Sequence, residues 1–330
     1  MPFMTANSYF GLAPEATYGE AASVSTFTPI DSPKITTDLT WLDDSAFRGS
    51  PTMHYDQVPG VVKATFDGKA YLFSDVYPNL LRAALGSADE VSASVPVYNN
   101  AGASFTGYQH TIGLANDPAT GSQAPSYTII NDSVDNTYQI VAARLVDLTV
   151  SFSADAAVES TFSFTGNAAS VVSSASVVNE STQHLVPSWN CSASFNGASV
   201  AVVESVEIAI KRNTAPIHTL GQQNPYSNFQ GPISVEGKFS FVVEAGENFY
   251  ASALTRDQQS IIVQLTDPET GYNVQFGMDA VQLEAPVIDQ SKAYIALTSN
   301  FVAVANTSDQ VDGGYSPIYT ITTNGVSTAY

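Results

Sequence analysis

The segment Leu145 to Phe152, LVDLTVSF, puts Val146, Leu148, Val150 and Phe152 on one side of an extended chain and Asp147, Thr149 and Ser151 on the other. Successive side chains of a strand point to opposite faces, so a period of two fits a strand with one buried and one wet face, and fits no helix. The pattern returns elsewhere. Val206, Ile208 and Ile210 oppose Glu207 and Lys211, and Ile233, Val235, Phe239 and Phe241 sit among Ser234, Glu236, Lys238 and Ser240, with Gly237 disturbing the alternation. Ile35, Leu39 and Trp41 are likewise separated by Thr and Asp. The wet faces are mostly uncharged: 44% of residues are apolar but only 13% charged, and Ser, Thr, Asn and Gln supply the rest. Helices prefer Glu, Lys and Arg on their exposed side, whereas hydroxyl-bearing and β-branched residues suit a pleated, half-buried surface. The expected fold class is therefore all-β, mostly antiparallel, with one or two short helices.

The clearest helix is YPNLLRAAL, Tyr77 to Leu85: Pro78 stands in the first turn, Leu80, Leu81, Ala84 and Leu85 share a face, and Gly86 supplies the stop. Residues 1–34 read as an extended arm without sustained period. Val61 to Phe73 is a strand block interrupted at Asp67-Gly68, a candidate tight turn.

The second half retells the first. VEIAI (206–210) stands where Asp38-Leu39-Thr40-Trp41 stood, a long polar loop follows each, and ISVEGKFSFVV (233–243) compares with VVKATFDGKAYLF (61–73). Ala251 to Leu254 matches the end of the first helix, Asp267-Pro268-Glu269-Thr270-Gly271 echoes Asp117-Pro118-Ala119-Thr120-Gly121, and VQLE (281–284) with Tyr294 to Thr298 repeats VDLT (146–149) and its return strand. Five matches in one order point to an internal duplication. The expected organisation is an arm over 1–34, a first β domain over 35–170 with an insertion at about 86–112, a connector over 171–200, a second β domain over 201–304 and a tail over 305–330.

Charge and chemistry narrow the function classes. With 31 acidic against 11 basic residues the formal net charge is −20, which disfavours stable nucleic-acid binding because replacing the counterions of a duplex takes Lys and Arg. No basic cluster suits an anionic membrane surface. Cys191 alone allows no disulfide within the chain. The opening Met1 to Asn7 has neither the basic region nor the apolar run of a signal peptide, and no stretch has the length of a membrane span. His54, His110, His184 and His218 lie in unrelated contexts, without metal-ligand spacing, and are expected at the surface or in loops. No nucleophile elbow, P-loop or dinucleotide fingerprint occurs. The expectation is a non-enzyme with no catalytic, cofactor or metal site.

Several phrases resemble the tail tube proteins of long-tailed bacteriophages, over most of the chain. Gly11 to Glu20, GLAPEATYGE, is similar to the GxxxExTxGT-like openings of that family, with Glu20 in place of the usual small residue. WLDDSAFRG (41–49), the stretch from Tyr71 to Gly86 ending in LLRAALG, and Ile208 to Gly231, with KRN leading to NPYSNFQG, look like the same family. The resemblance implies a small β-sandwich or half-barrel with a flanking helix, present here twice in tandem. It implies rings that close a β-barrel around a lumen and stack into a tail tube, a conduit for genome delivery.

Two domains per chain would make the ring a pseudo-hexameric homotrimer, with a true hexamer as the alternative. Other implied partners are a tape measure protein and tail terminator or baseplate proteins, with viral DNA passing through unbound and no membrane partner. The product would be synthesised in the host bacterial cytoplasm and reside in the virion tail.

On that reading Asp147, Thr149, Ser151, Glu207, Lys211, Ser234, Glu236, Lys238, Gln282 and Glu284 are candidate lumen-facing residues, and the overall charge suggests an acidic lining that keeps DNA off the wall. Arg48 and Trp41 are candidate inter-subunit or inter-ring contacts. Two alternatives stand beside it: a β-sandwich adhesin, fibre or capsid decoration protein, and a β-class glycan-active enzyme, for which the chain offers only Trp41 and Trp189.

Overall fold

A computed structural model describes residues 8–330 apart from 47, 134, 174–178, 182, 201, 244–257 and 292. The expected short helix at Ala251 to Leu254 lies outside the described residues. Strands β1 (Tyr9–Pro14) and β2 (Thr26–Thr28) precede a long hairpin, β3 (Ile30–Asp44) and β4 (Asp56–Tyr71). After α1 (Pro78–Leu85) come β5 (Glu90–Val91), β6 (Val95–Tyr98), β7 (Ser104–Gly113), β8 (Tyr127–Asp132), β9 (Thr137–Ser153) and β10 (Glu159–Gly166). Then follow β11 (Ser170–Val172), β12 (Asn179–Glu180), β13 (Cys191–Phe195), β14 (Ala198–Val200), β15 (Val203–Lys211), β16 (Ala215–Ile217), β17 (Ser227–Phe229) and β18 (Ser234–Val242). The series ends with β19 (Gln259–Thr266), β20 (Asn273–Leu283), β21 (Val287–Asp289), β22 (Ala296–Ala303) and β23 (Tyr319–Asn324).

The all-β expectation holds, and α1 forms where the sequence placed it. Every residue of α1 but Arg82 is buried, and Gly86 ends the helix in the left-handed region at φ 94°, a conformation that costs a residue without Cβ nothing.

Two layers enclose one core. The inner layer runs β3-β4-β10-β9-β15-β18-β22, antiparallel at every step, and continues into the end of β20 and β21 beside β22. The outer layer has two parts, β2-β1-β8-β9-β11 and β14-β13-β19-β20-β23-β7. Strands β9 and β20 are long enough to serve both layers. Residues 137–143 of β9 pair outward with β8, and 144–153 pair inward with β10 and β15. Between them, Phe10 stacks on Phe66 at 4.8 Å, and Phe239 on Phe301 at 6.0 Å.

The inner layer is two quartets of like order, β3-β4-β10-β9 and β15-β18-β22-β20: in each, the third and fourth strands along the chain exchange places in space. Registers agree as well. Gly68 pairs with Phe162 and Gly237 with Phe301, while Phe162 pairs with Leu148 and Phe301 with Leu283. The match of VQLE to VDLT is thus literal, with Gln282 at the place of Asp147.

Several sequence-based expectations are corrected by this register. Asp67-Gly68 is no turn, for β4 runs straight through it. Each glycine makes room for a ring. A Cβ on Gly68 would lie 2.7 Å from the Phe162 ring, and one on Gly237 2.2 Å from that of Phe301, so Gly237 keeps the alternation in phase. VEIAI corresponds to the start of β3 rather than to 38–41, because Ile210 pairs with Val235 as Ile35 pairs with Phe66. The two DPxTG turns share a geometry, each Asp side chain accepting from the backbone N–H two residues on. They occupy different places, however: the first precedes β8, and the second joins β19 to β20.

The presumed arm contains β1 and β2, and the presumed tail contains β23, which lies between β20 and β7. Residues 86–112, read as an insertion, supply β5, β6 and most of β7 and so widen the outer layer of the second half.

Candidate assembly surface and conduit face

The face of the inner layer turned away from the core is polar across both quartets. Its rows follow from register alone, since residues of equal phase on neighbouring strands stand side by side. One row reads Lys69, Thr161, Thr149, Ala209, Glu236, Val302, Gln282. The next reads Lys34, Asp67, Ser163, Asp147, Lys211, Ser234. A third holds Glu159, Ser151, Glu207, Lys238 and Asn300, whose amide donates to Glu284 at 2.9 Å. All ten residues proposed from the alternation pattern therefore share one face.

The charges on this face are of both signs and partly paired. Lys69 bonds Glu159 at 2.6 Å, Lys211 bonds Glu236 at 2.8 Å, and Lys63 approaches Asp38 at 3.7 Å. Lys69 and Lys211 are raised above the ordinary lysine value, chiefly by the hydrogen bonds to those carboxylates, and Glu236 is lowered chiefly by its bond from Lys211. Asp147 is raised, first by burial and then by the nearby charge of Asp67, against the pull of Lys211. Five of the six lysines of the chain, Lys34, Lys63, Lys69, Lys211 and Lys238, stand here. With Asp31 and Asp38 of β3 included, they face eight carboxylates, an excess of three in a chain whose net charge is −20. Most of the acidic surplus lies elsewhere on the molecule.

Among the described residues the layer has two open ends. At one, β3 pairs with β4 alone among the inner strands, and at the other the last residues of β20 pair with β22. Beyond the layer the β3–β4 hairpin projects with Leu39, Trp41, Leu42, Val58 and Val61 exposed. At its tip Arg48 bonds Asp44 and stacks over Tyr55 at 5.3 Å, so its visible partners are within the chain. Trp189 is exposed on a different element, the turn before β13. Backbone groups on an open strand edge are unpaired and recruit another strand unless they are covered.

Two phrases singled out from the sequence turn out to dock on one another. Glu15, at the end of β1, is a buried carboxylate that accepts from the Gly19 and Ala142 backbone N–H groups and from the hydroxyls of Ser126 and Thr128. It thereby holds Ala142, at φ 54°, where β9 bends between layers. The Tyr18 hydroxyl accepts the Asn228 N–H at 2.7 Å, and Asn228 donates in turn to the Ala142 carbonyl. Arg144 stacks over Tyr18 at 5.4 Å and donates to Gln123 and to the Asn228 carbonyl. Burial lowers Arg144, while Tyr18 and Glu15 pull it back up. Arg212 is lowered to about 10, by burial and by the neighbouring Arg144. The loop carrying NPYSNFQG is thus fastened across the first half by a buried polar seam. Alternation could not reveal this, because the contacts depend on which loops meet in space.

Other chemistry is sparse. His54 and His184 are exposed beside Asp43 and Glu269, and His218 is exposed. His110, expected at the surface, is instead fully buried between Asp89 at 2.7 Å and the Val326 carbonyl at 2.9 Å. Among the described residues no cluster of three His, Cys, Asp or Glu side chains could hold a metal, and no helix is long and apolar enough to cross a membrane.

The described residues form a two-layered, all-β chain with an extended inner sheet, the architecture of a structural subunit. The family model for phage tail tube protein matches residues 5–325, and the chain belongs to that family. No curated protein sequence matches it.

Proposed function

We propose that this chain is the ring-forming subunit of a phage tail tube, in which three copies close the inner layers into one barrel and rings stack into a conduit for the genome. Membership of the tail tube family carries self-assembly into a tube and a place in the virion tail. The threefold ring rests on one observation: the chain holds two quartets of identical strand order already joined by β9–β15 pairing. On this reading two tandem units, over about 35–170 and 201–304, take up β1 and β2 and β23 respectively, and residues 171–200 connect them. Closing the sheet removes the exposed edges that would otherwise invite irregular aggregation.

The polar face forms the wall, with the ten named residues on it. On this reading the wall carries charges of both signs with a small excess of carboxylates, a mild form of the acidic lining suggested by composition. Paired lysines have their charge satisfied by neighbouring carboxylates, so little is left over to hold a phosphate. The β3–β4 hairpin, with Trp41 and Arg48, is the element placed to reach the next ring or subunit. Tape measure and terminator or baseplate proteins are the further partners of such a tube.

Negative-stain electron microscopy of the concentrated protein tests the reading. Hollow, evenly ringed tubes with threefold class averages are expected. Monomers that neither assemble alone nor add to tail initiator complexes would overturn it.

A further inference from the structure

The chain contains one copy of the junction that a ring must repeat. At the β9–β15 junction, Leu148 pairs with Ile210, Asp147 with Lys211 and Thr149 with Ala209. Each strand there has an equivalent at an open end of the inner layer. Strand β20 is equivalent to β9, with Leu283 at the place of Leu148 against Phe301 and Phe162. Strand β3 is equivalent to β15, with Ile35 at the place of Ile210 against Phe66 and Val235.

From this we infer that β20 of one copy pairs antiparallel with β3 of the next, in a register that sets Leu283 opposite Ile35, Gln282 opposite Thr36 and Glu284 opposite Lys34. The inference rests on the ring reading above and adds to it the contact surface and its register.

Burial supports it independently of the pairing pattern. Ile208 and Ile210 are both fully buried, with β9 running alongside them. Ile35 packs against the same core yet is only partly buried, and among the described residues β3 pairs with no strand but β4. The difference is the shielding that a neighbouring strand would supply. Leu283, already buried by β22 and the core, is the residue placed to supply it. The charges agree in sign. Lys34 and Glu284 are both exposed on the polar face, and opposite charges directly across an antiparallel pair stabilise it while like charges oppose it. A one-residue slip would turn every wall residue into the core, and a two-residue slip would break the Leu283–Ile35 contact and the charge match.

The test is disulfide trapping in the full chain with Cys191 replaced by Ser. The pair Thr36→Cys with Gln282→Cys brings the two Cβ atoms to the separation a disulfide requires, whereas Asp38→Cys with Gln282→Cys is displaced by two residues. Mild oxidation is expected to give covalent dimers and closed trimers with the first pair and few with the second, while each single-cysteine variant stays monomeric under denaturation. A charge test runs in parallel: Lys34→Glu and Glu284→Lys each lower the fraction assembled several-fold, and the double exchange restores it.

Rings that form normally but cross-link preferentially in the displaced pair, or not at all, would overturn the register and leave the tube reading standing. A chain that forms no ring with any variant, or without mutation, would remove both. Circular dichroism of each variant confirms that it has folded.

Discussion

Lys211 stands directly across from Asp147 at the junction of the two quartets, while its ammonium bonds Glu236 on the other side at 2.8 Å. One lysine therefore offsets carboxylates from both halves of the chain, beside Asp67 in the same row. Replacing Lys211 with Ala would leave those carboxylates unopposed. Because Lys211 and Glu236 are each about half exposed, solvent screens the pair and the expected loss of stability is small. It should shrink as salt rises, which urea denaturation at low and high ionic strength would read out.

The paired glycines predict a graded result. The atoms nearest an added Cβ at Gly68 all belong to the Phe162 side chain, whereas at Gly237 it also meets the Glu207 backbone carbonyl oxygen at 2.3 Å. Overpacking typically costs about 1–3 kcal/mol, so Gly68→Ala should fall near the low end and Gly237→Ala at or above the high end. Phe162→Leu should partly rescue the first, and Phe301→Leu should fail to rescue the second, because the backbone clash remains. Thermal unfolding of the four variants and the two pairs distinguishes these outcomes.

Glu15→Gln tests the buried seam. The carboxylate accepts four donors, and an amide nitrogen in place of one oxygen would set donor against donor. Leaving buried polar groups unmatched costs about 1–3 kcal/mol, and hydrogen exchange should show the loss first around Ala142 and Asn228. Unchanged protection there would mean that the seam is not what holds the loop.

His110 predicts a dependence on pH. Burial pulls its pKa down, but the bond and charge of Asp89 and the Val326 carbonyl outweigh this and leave it raised. A group bound more tightly to its proton in the folded state contributes stability that is fully present below the unfolded value of about 6.5. That stability is lost as pH rises through the higher folded value. Melting temperature should therefore fall as pH climbs from about 6 upwards, and His110→Asn should flatten the slope. An identical slope in the variant would assign the effect to other groups.

Much of this could be read from residues because local rules govern it. Strand faces follow from alternation: Leu148, Val150, Ile208 and Ile210 are buried and Asp147, Ser151, Glu207 and Lys211 exposed as the period of two requires. The helix at Pro78–Leu85 follows from its spacing and its terminal glycine. The likeness of VQLE to VDLT was legible too, and the two occupy equivalent registers.

What sequence could not decide was the partner of each element. The DPxTG turns look alike because the Asp-capped turn is a local hydrogen-bonding device, indifferent to the strand that follows it. Gly237 and Gly68 read as interruptions until Phe301 and Phe162 were placed against them. His110 could not be called buried from its neighbours in the chain, for its partners lie 21 and 216 residues away. The charge of the polar face was hidden for the same reason: a net charge is a sum over the chain, whereas a surface is a selection from it, and here register gathers five of the six lysines onto one face. Residue order alone fixes which side chains alternate and where the helix stops, both consequences of bonding within a few residues. Which strands adjoin, which charges face one another and which strand edges stay open among the described residues depend instead on contacts between segments far apart along the chain.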